Sequence, residues 1–348
     1  MTLRVGVIGT GMIGQDHIRR VTQVLSGAQI SAVADADTNL AKEVAAGLPA
    51  ARVFGSGEEL IGCEDVEAVI VTSWGPTHES YVLASIAAKK PVFCEKPLAT
   101  TEEATQRIIA AEVEVGRRLV QVGFMRRYDA AYRALKDVIE SGQIGAALVY
   151  YSGHRNPSVP KAYTKDMAIV DTAVHDFDIA RWLLDDEFTS IEVLTPRRNR
   201  HGDDLQDPLL MMLETASGAV VCVETSVNIR YGYDIRGEVV GEDGTAALAD
   251  RGLIQVRHAG SARAAVPVDW RERFVTAFDT EFQEWINRVS SGEAPDGPSS
   301  WDGYAASVVC QAGVEALDSG KRVPITLVEK PDLYLKQDPA SLPGRATS

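Results

Sequence analysis

The stretch Gly9-Thr10-Gly11-Met12-Ile13-Gly14 constrains this chain more than any other. A Gly-x-Gly-x-x-Gly run by itself is a weak signal. Here it follows a short apolar strand pattern at 3–8 and opens a helical stretch reaching about Leu25. A second apolar pattern at 30–34 leads into Asp35, 21 residues after Gly14. That is the context a dinucleotide-binding strand–turn–helix requires. Gly9 permits the tight turn, Gly11 lets backbone N–H groups approach a pyrophosphate, and Gly14 lets the helix pack on the strand. The helix N-terminus then faces the phosphates. Asp35 selects the cofactor, because a carboxylate accepts hydrogen bonds from the adenosine ribose diol and repels a 2′-phosphate. Ala36 and Asp37 follow, with no Arg or Lys to offset that repulsion. The pattern predicts NAD.

The rhythm continues through the first third. Residues 66–72, 91–94 and 119–122 read as buried strands, with helical stretches such as 79–89 between them. Thr100-x-x-Glu103 reads as a capping box opening a helix over 101–116. Strands alternating with helices imply right-handed crossovers and a doubly wound parallel sheet, a Rossmann domain over 1–123. After about Gly145 the pattern changes. Strand-like runs at 147–152, 190–194, 209–214, 220–227 and 235–240 are joined in places by short turns, such as Ala216-Ser217-Gly218. They predict an α+β domain over 124–330 with a mostly antiparallel sheet. Helices are expected over 167–184, 277–290 and 303–319. The tail 331–348 is polar, with Pro331, Pro339 and Pro343, and reads as an extended arm.

Charge and cysteines narrow the function classes. The net charge of −14 repels nucleic acid and anionic membranes. No run of about 18 uncharged apolar residues occurs, so no membrane span is expected. The four cysteines, Cys63, Cys94, Cys222 and Cys310, form no Cys-x-x-Cys pair and lie far from any His at ligand spacing. No metal site is expected. Scattered cysteines suit a reducing compartment. The first residues run straight into a strand pattern without a signal-peptide profile. A cytoplasmic protein is expected.

Two groups carry candidate chemistry. Cys94-Glu95-Lys96-Pro97 sits at the carboxyl end of a strand, where open α/β sheets bind ligands. Pro97 restricts Lys96 to extended backbone, which aims its ammonium. Asp171-Thr-Ala-Val-His175-Asp-Phe-Asp178 lies on the helix expected over 167–184. Asp171, His175, Asp178 and Trp182 form a row beside the apolar stripe Val170, Ala173, Phe177, Ala180 and Leu184. Asp171 and His175 are i, i+4 neighbours and can touch, which would raise the basicity of the imidazole. The residues alone fit a helix-surface ion pair equally well. A nicotinamide enzyme, however, needs a proton acceptor for an alcohol, and no better-placed His is evident. His17 reads as structural, and His201 and His258 as solvated. His78, after Thr72-Ser73-Trp74-Gly75-Pro76-Thr77, is placed to cap a helix near the cofactor. His154, in His154-Arg155-Asn156-Pro157, can face a polar substrate. With Arg126 and Tyr128 these groups suit a polyol better than a phosphate.

Glu95-Lys96-Pro97 after a Rossmann half, with Asp171 and His175 separated by three residues, resembles the family of glucose–fructose and inositol dehydrogenases. Phe93-Cys-Glu-Lys-Pro-Leu-Ala-Thr-Thr, Val120-Gln-Val-Gly-Phe-Met-Arg-Arg-Tyr-Asp, Tyr231-Gly-Tyr-Asp and Trp301-Asp-Gly-Tyr carry the likeness across about residues 3–330. The runs 124–129 and 154–157 bring it nearest to the inositol-oxidising members. The resemblance implies a Lys96–Asp171–His175 triad, with His175 as general base. It implies polyol contacts from Arg126, His154, Asn156, Asp171, His175, Asp178 and Tyr233, with Tyr163 and Trp270 bordering the pocket. The expected cofactor set is Gly9, Gly11, Met12, Ile13, Gly14, Asp35, Thr72, Ser73, Trp74, His78, Glu95 and Lys96. Oxidation of myo-inositol to an inosose with NAD follows as the expected activity, and a homotetramer built on the open face of the second sheet as the expected assembly. Asp176 stands where the pattern also leads one to expect Glu after the histidine. A nicotinamide-dependent glycoside hydrolase and an idle NAD-binding sensor fit the same scaffold; net NADH release from free inositol separates oxidation from both.

Overall fold

The computed structural model describes residues 2–249, 255–258 and 261–335. Six strands, β1 (Leu3–Ile8), β2 (Ala28–Ala34), β3 (Arg52–Phe54), β4 (Ala68–Val71), β5 (Val92–Cys94) and β6 (Val120–Val122), form one parallel sheet in the order β3-β2-β1-β4-β5-β6. This is the dinucleotide-binding order, with its switch point between β1 and β4. The connections run through helices α1 (Met12–Gln23), α2 (Thr38–Ala46), α3 (Gly57–Gly62), α4 (His78–Ala87) and α5 (Glu102–Val115). Helices cover both faces, so the strands are apolar throughout rather than alternating. Val69, Val71, Val92 and Cys94 enter one core, while Val5, Val7, Ile70 and Phe93 enter the other.

The cap of α5 differs from the expected one. Thr101, not Thr100, is the N-cap: its backbone is extended and its hydroxyl accepts from the Ala104 N–H at 3.2 Å. The residue three after Thr101 is Ala104, so this cap lacks the reciprocal acid that the Thr100–Glu103 spacing pointed to.

Past α6 (Ala130–Glu140), which the sequence pattern did not reveal, comes the second sheet. Its strands are β7 (Ala147–Arg155), β8 (Phe188–Leu194), β9 (Leu209–Thr215), β10 (Val220–Ser226), β11 (Asp234–Gly241), β12 (Thr245–Ala247) and, beyond the separate ribbon β13 (Gln255–His258) and β14 (Ser261–Ala264), β15 (Val323–Pro324). The order is β12-β11-β7-β10-β9-β8-β15. Its pairs are antiparallel except β7 with β10. Burial alternates along β9 and β10 as a sheet covered on one side requires. Met211, Leu213, Val221 and Val223 point into the core, under α7 (Val174–Leu184) and α9 (Ser300–Ser319), while Leu210, Met212 and Cys222 lie on the open face.

Helix α8 (Trp270–Ser290) starts earlier than the expected 277. Its N-cap Asp269 accepts from the Arg271 N–H at 2.8 Å. It returns to the first sheet, where Phe282, Trp285 and Ile286 pack with Val5, Val7, Ile30 and Phe93. Among the described residues no helix is long and apolar enough to cross a membrane. The tail beyond Leu335 lies outside the described residues.

Candidate active site

The fingerprint turn is built as its residues require. Gly9 has φ +97°, and a Cβ there would meet the Thr72 and Ser73 backbone at 2.5 Å. A Cβ on Gly14 would meet the Gly9 carbonyl oxygen at 2.0 Å. Around Gly11, in contrast, the space is open, and no side chain caps the N-terminus of α1. Free N–H groups at a helix start beside open space make an anion site. Asp35 stands next to it at the end of β2. Its Oδ2 accepts from the Thr10 N–H (2.6 Å) and hydroxyl (3.0 Å), and its Oδ1 from the Asp37 N–H (2.9 Å). These features fit the pyrophosphate and adenosine ribose of NAD.

A cleft of about 360 Å³ continues from there to the second domain. Met12, Ile13, Thr72, Ser73, His78, Glu95 and Lys96 line its cofactor side. Both ring nitrogens of His78 lie near carbonyl oxygens, Pro97 at 2.7 Å and Ser73 at 2.9 Å, so His78 ties together the loops after β4 and β5. The buried His17 is indeed structural, and it holds Glu95 Oε1 at 2.8 Å from its Nε2. Trp74 is exposed and does not line the cleft.

The opposite wall carries His154, Asn156, Asp171, His175, Tyr233 and Trp270. Lys96 bridges the two walls. Its Nζ donates to Asp171 Oδ1 at 2.5 Å and to the Asp171 carbonyl at 3.2 Å. Two of the three ammonium hydrogens are thereby used, leaving one for a ligand oxygen.

The expected Asp171–His175 contact is corrected. The segment Ala168–Ala173 is π-helical, and α7 begins only at Val174. A wider π turn breaks the four-residue stacking of an α-helix, and such turns are frequent at functional sites. Asp171 therefore reaches Lys96 instead, while His175 Nδ1 is buried without a hydrogen-bond partner among the described residues. The basicity of His175 is not raised either. Burial holds its pKa well below the usual 6.5, and the charges of Lys96 and Arg126 push the same way. With Nδ1 inside, Nε2 is the nitrogen available to the cleft.

Two of the expected polyol contacts lie behind the wall. Arg126 is buried, and its guanidinium meets Asp176 Oδ1 at 2.6 Å and His154 Nδ1 at 2.8 Å. Asp178 is also buried and accepts from Arg127 at 2.5 and 3.0 Å, on the side of α7 away from the cleft. Tyr163 donates to the Met167 carbonyl at 2.7 Å and sits 2.6 Å from the Thr172 hydroxyl, bracing the π turn rather than lining the cleft. Five lining residues were not anticipated: Gly75, Gly123, Met125, Thr172 and Phe278. Met125 and Thr172 adjoin residues that were singled out, so the adjacent chemistry was the available signal. Phe278 lies on α8.

Residues 3–124 match the family described as "Oxidoreductase family, NAD-binding Rossmann fold", and residues 132–247 match the "GFO/IDH/MocA C-terminal domain". This chain belongs to the GFO/IDH/MocA oxidoreductase family. Membership makes it an NAD-dependent oxidoreductase, as the fingerprint and Asp35 predicted. It is similar to inositol 2-dehydrogenase 3 of Saccharopolyspora erythraea, with 56% identity over 335 residues covering 96% of this chain and 98% of that protein. The inositol 2-dehydrogenase of Burkholderia cenocepacia is 52% identical over 337 residues, covering 96% and 99%. Among solved structures, the myo-inositol dehydrogenase of Lactobacillus casei in complex with NAD(H) and myo-inositol is 41% identical, with a TM-score of 0.94 over 96% of this GFO/IDH/MocA member and all of that chain.

Proposed function

We propose that the protein oxidises myo-inositol at its axial hydroxyl to the corresponding inosose. The observation that carries this reading is a single cleft wall bearing the Lys96–Asp171 pair, His175 and the polyol-suited group His154, Asn156 and Tyr233. The names of the relatives at 52–56% identity support it. Gly9 to Gly14 and Asp35 hold NAD, which supplies the hydride acceptor.

The residues divide the work by their chemistry. His175 is held neutral by burial, so its Nε2 can accept the carbinol proton. The nearby charge of Lys96 disfavours the imidazolium, so the proton is readily passed on. The free N–H of Lys96 faces the same oxygen and stabilises its alkoxide character. Asp171 fixes that ammonium and balances its charge. Asn156 offers a side-chain amide that no described residue engages, and His154 and Tyr233 offer further polar partners. Each buried polar group left unpaired by a wrong isomer costs about 1–3 kcal/mol.

Steady-state kcat/KM for NADH release should be highest on myo-inositol. The axial carbinol carries an equatorial hydrogen, and an all-equatorial isomer must tilt to present its own, unpairing part of this wall. A clear preference for scyllo- or D-chiro-inositol would overturn the axial assignment; no NADH from any of them would overturn the inositol reading.

A homotetramer is also proposed. The open face of the second sheet carries Tyr151 and Leu194, 50% and 43% exposed, with Leu210, Met212 and Cys222. The ion pairs of Arg155 with Glu224 and Asp234 flank this apolar strip. Sedimentation equilibrium should return four times the 37.6 kDa chain mass. A monomer at micromolar concentration would refute the assembly.

A further inference from the structure

Asp176, the residue that departs from the expected glutamate, lies fully buried one layer behind the cleft. Its Oδ1 accepts from Arg126 Nη1 at 2.6 Å and from the Ser152 hydroxyl at 2.7 Å. Among the described residues its Oδ2 has one hydrogen-bond partner, His154 Nδ1, at 2.8 Å. That nitrogen also lies 2.8 Å from Arg126 Nη2. The two contacts demand opposite protonation. A carboxylate requires an N–H on Nδ1, whereas a guanidinium requires a lone pair there.

The balance is decided by which group would be stranded. Without a proton on Nδ1, Oδ2 would be a buried charged oxygen facing a lone pair, with no donor at all. With the proton there, the loss is one unmet contact of a guanidinium whose Nη1 is already paired. An unpaired buried charge is the costlier of the two. Burial raises the Asp176 pKa, but the charge of Arg126 and the His154 contact more than offset it, so the carboxylate stays ionised. We propose that Asp176 is a positioning residue that keeps the proton of His154 on Nδ1, so that His154 Nε2 meets the substrate as a hydrogen-bond acceptor. Tyr233 fits this assignment, because its hydroxyl lies 3.2 Å from Nε2 and can donate to it. Both side chains line the cleft, so a hydroxyl of the ligand can displace this long contact and donate to the nitrogen in its place. A carboxylate behind the ring also strengthens the acceptor. The substrate half of this inference rests on the polyol reading above; the tautomer half does not.

The test begins on the full-length protein without substrate. With ¹⁵N-labelled histidine, the His154 signals, assigned by their loss in His154→Gln, should show a protonated Nδ1 and an unprotonated Nε2. Asp176→Asn should shift His154 toward the opposite tautomer. A wild-type proton on Nε2 would overturn the proposal, as would an unchanged tautomer in the variant. The wild-type arm stands even if Asp176→Asn does not fold. In kinetics, Asp176→Asn should raise KM for myo-inositol about 10–100-fold, the worth of one buried hydrogen bond to the substrate, with a smaller change in kcat and NAD affinity kept within twofold. An unchanged KM would refute the acceptor role. Wild-type inactivity on myo-inositol would instead sink the polyol reading and leave the tautomer result intact.

Discussion

Replacing His175 with alanine is expected to lower kcat by about 10²–10⁴-fold, the usual contribution of a positioned general base. Lys96→Ala should fall in the same range, because it removes the N–H aimed at the developing alkoxide and strands Asp171. His175 lies on the wall opposite the cofactor side, so His175→Ala should leave the dissociation constant for NAD nearly constant; Lys96 lines the cofactor side, and Lys96→Ala should weaken NAD binding far less than it lowers kcat. Stopped-flow hydride transfer with equilibrium NAD titration separates the two effects. A His175→Ala enzyme that keeps most of its turnover would remove His175 from the base role. The pH profile supplies a second check. His175 must be neutral to accept a proton, and its pKa lies below 6.5, held there first by burial and then by Lys96. Activity is therefore lost only as pH falls through that lowered value, and the acid limb of kcat/KM should bend below pH 6.5. A bend above 7 would mean that the imidazole is less buried than the structure makes it.

The wild-type enzyme should favour NAD over NADP by more than about 100-fold in kcat/KM. Asp35 is tied by Thr10 and Asp37 at the end of β2, beside the fingerprint turn, where the adenosine ribose is proposed to bind. A 2′-phosphate would face this fixed carboxylate with no nearby cation in the sequence Asp35-Ala36-Asp37. Like charges so placed cost several kcal/mol, and about 1.4 kcal/mol is tenfold. Asp35→Ser with Ala36→Arg should narrow the gap by removing the repulsion and adding a phosphate partner. Equal use of both cofactors by the wild type would defeat the argument.

The cofactor half was legible because its signals are local. Gly9, Gly11 and Gly14 answer to contacts within one turn, and the apolar runs at β1, β4 and β5 report burial on both faces. The candidate catalytic wall was legible in part of its membership, Asp171, His175, His154, Asn156 and Tyr233, but not in its wiring. Asp171 and His175 follow an α-helical spacing, and the π turn that separates them, braced by Tyr163, leaves no mark on that spacing. Arg126 and Arg127 are adjacent and chemically alike, so nothing local says that one turns toward Asp176 and the other toward Asp178. The polar side chains behind the wall are recognisable only once the layers are stacked.

The packing of α8 against the first sheet has a consequence for biosynthesis. The nucleotide-binding strands leave the ribosome first, yet Phe282, Trp285 and Ile286, which close one of their two cores, are translated near the end of the chain. Until then Val5, Val7, Ile30 and Phe93 lack part of their cover. Vectorial folding, domain by domain from the N-terminus, therefore cannot run to completion here. The nascent first domain must wait, with an apolar face incompletely shielded, for a helix encoded after β14.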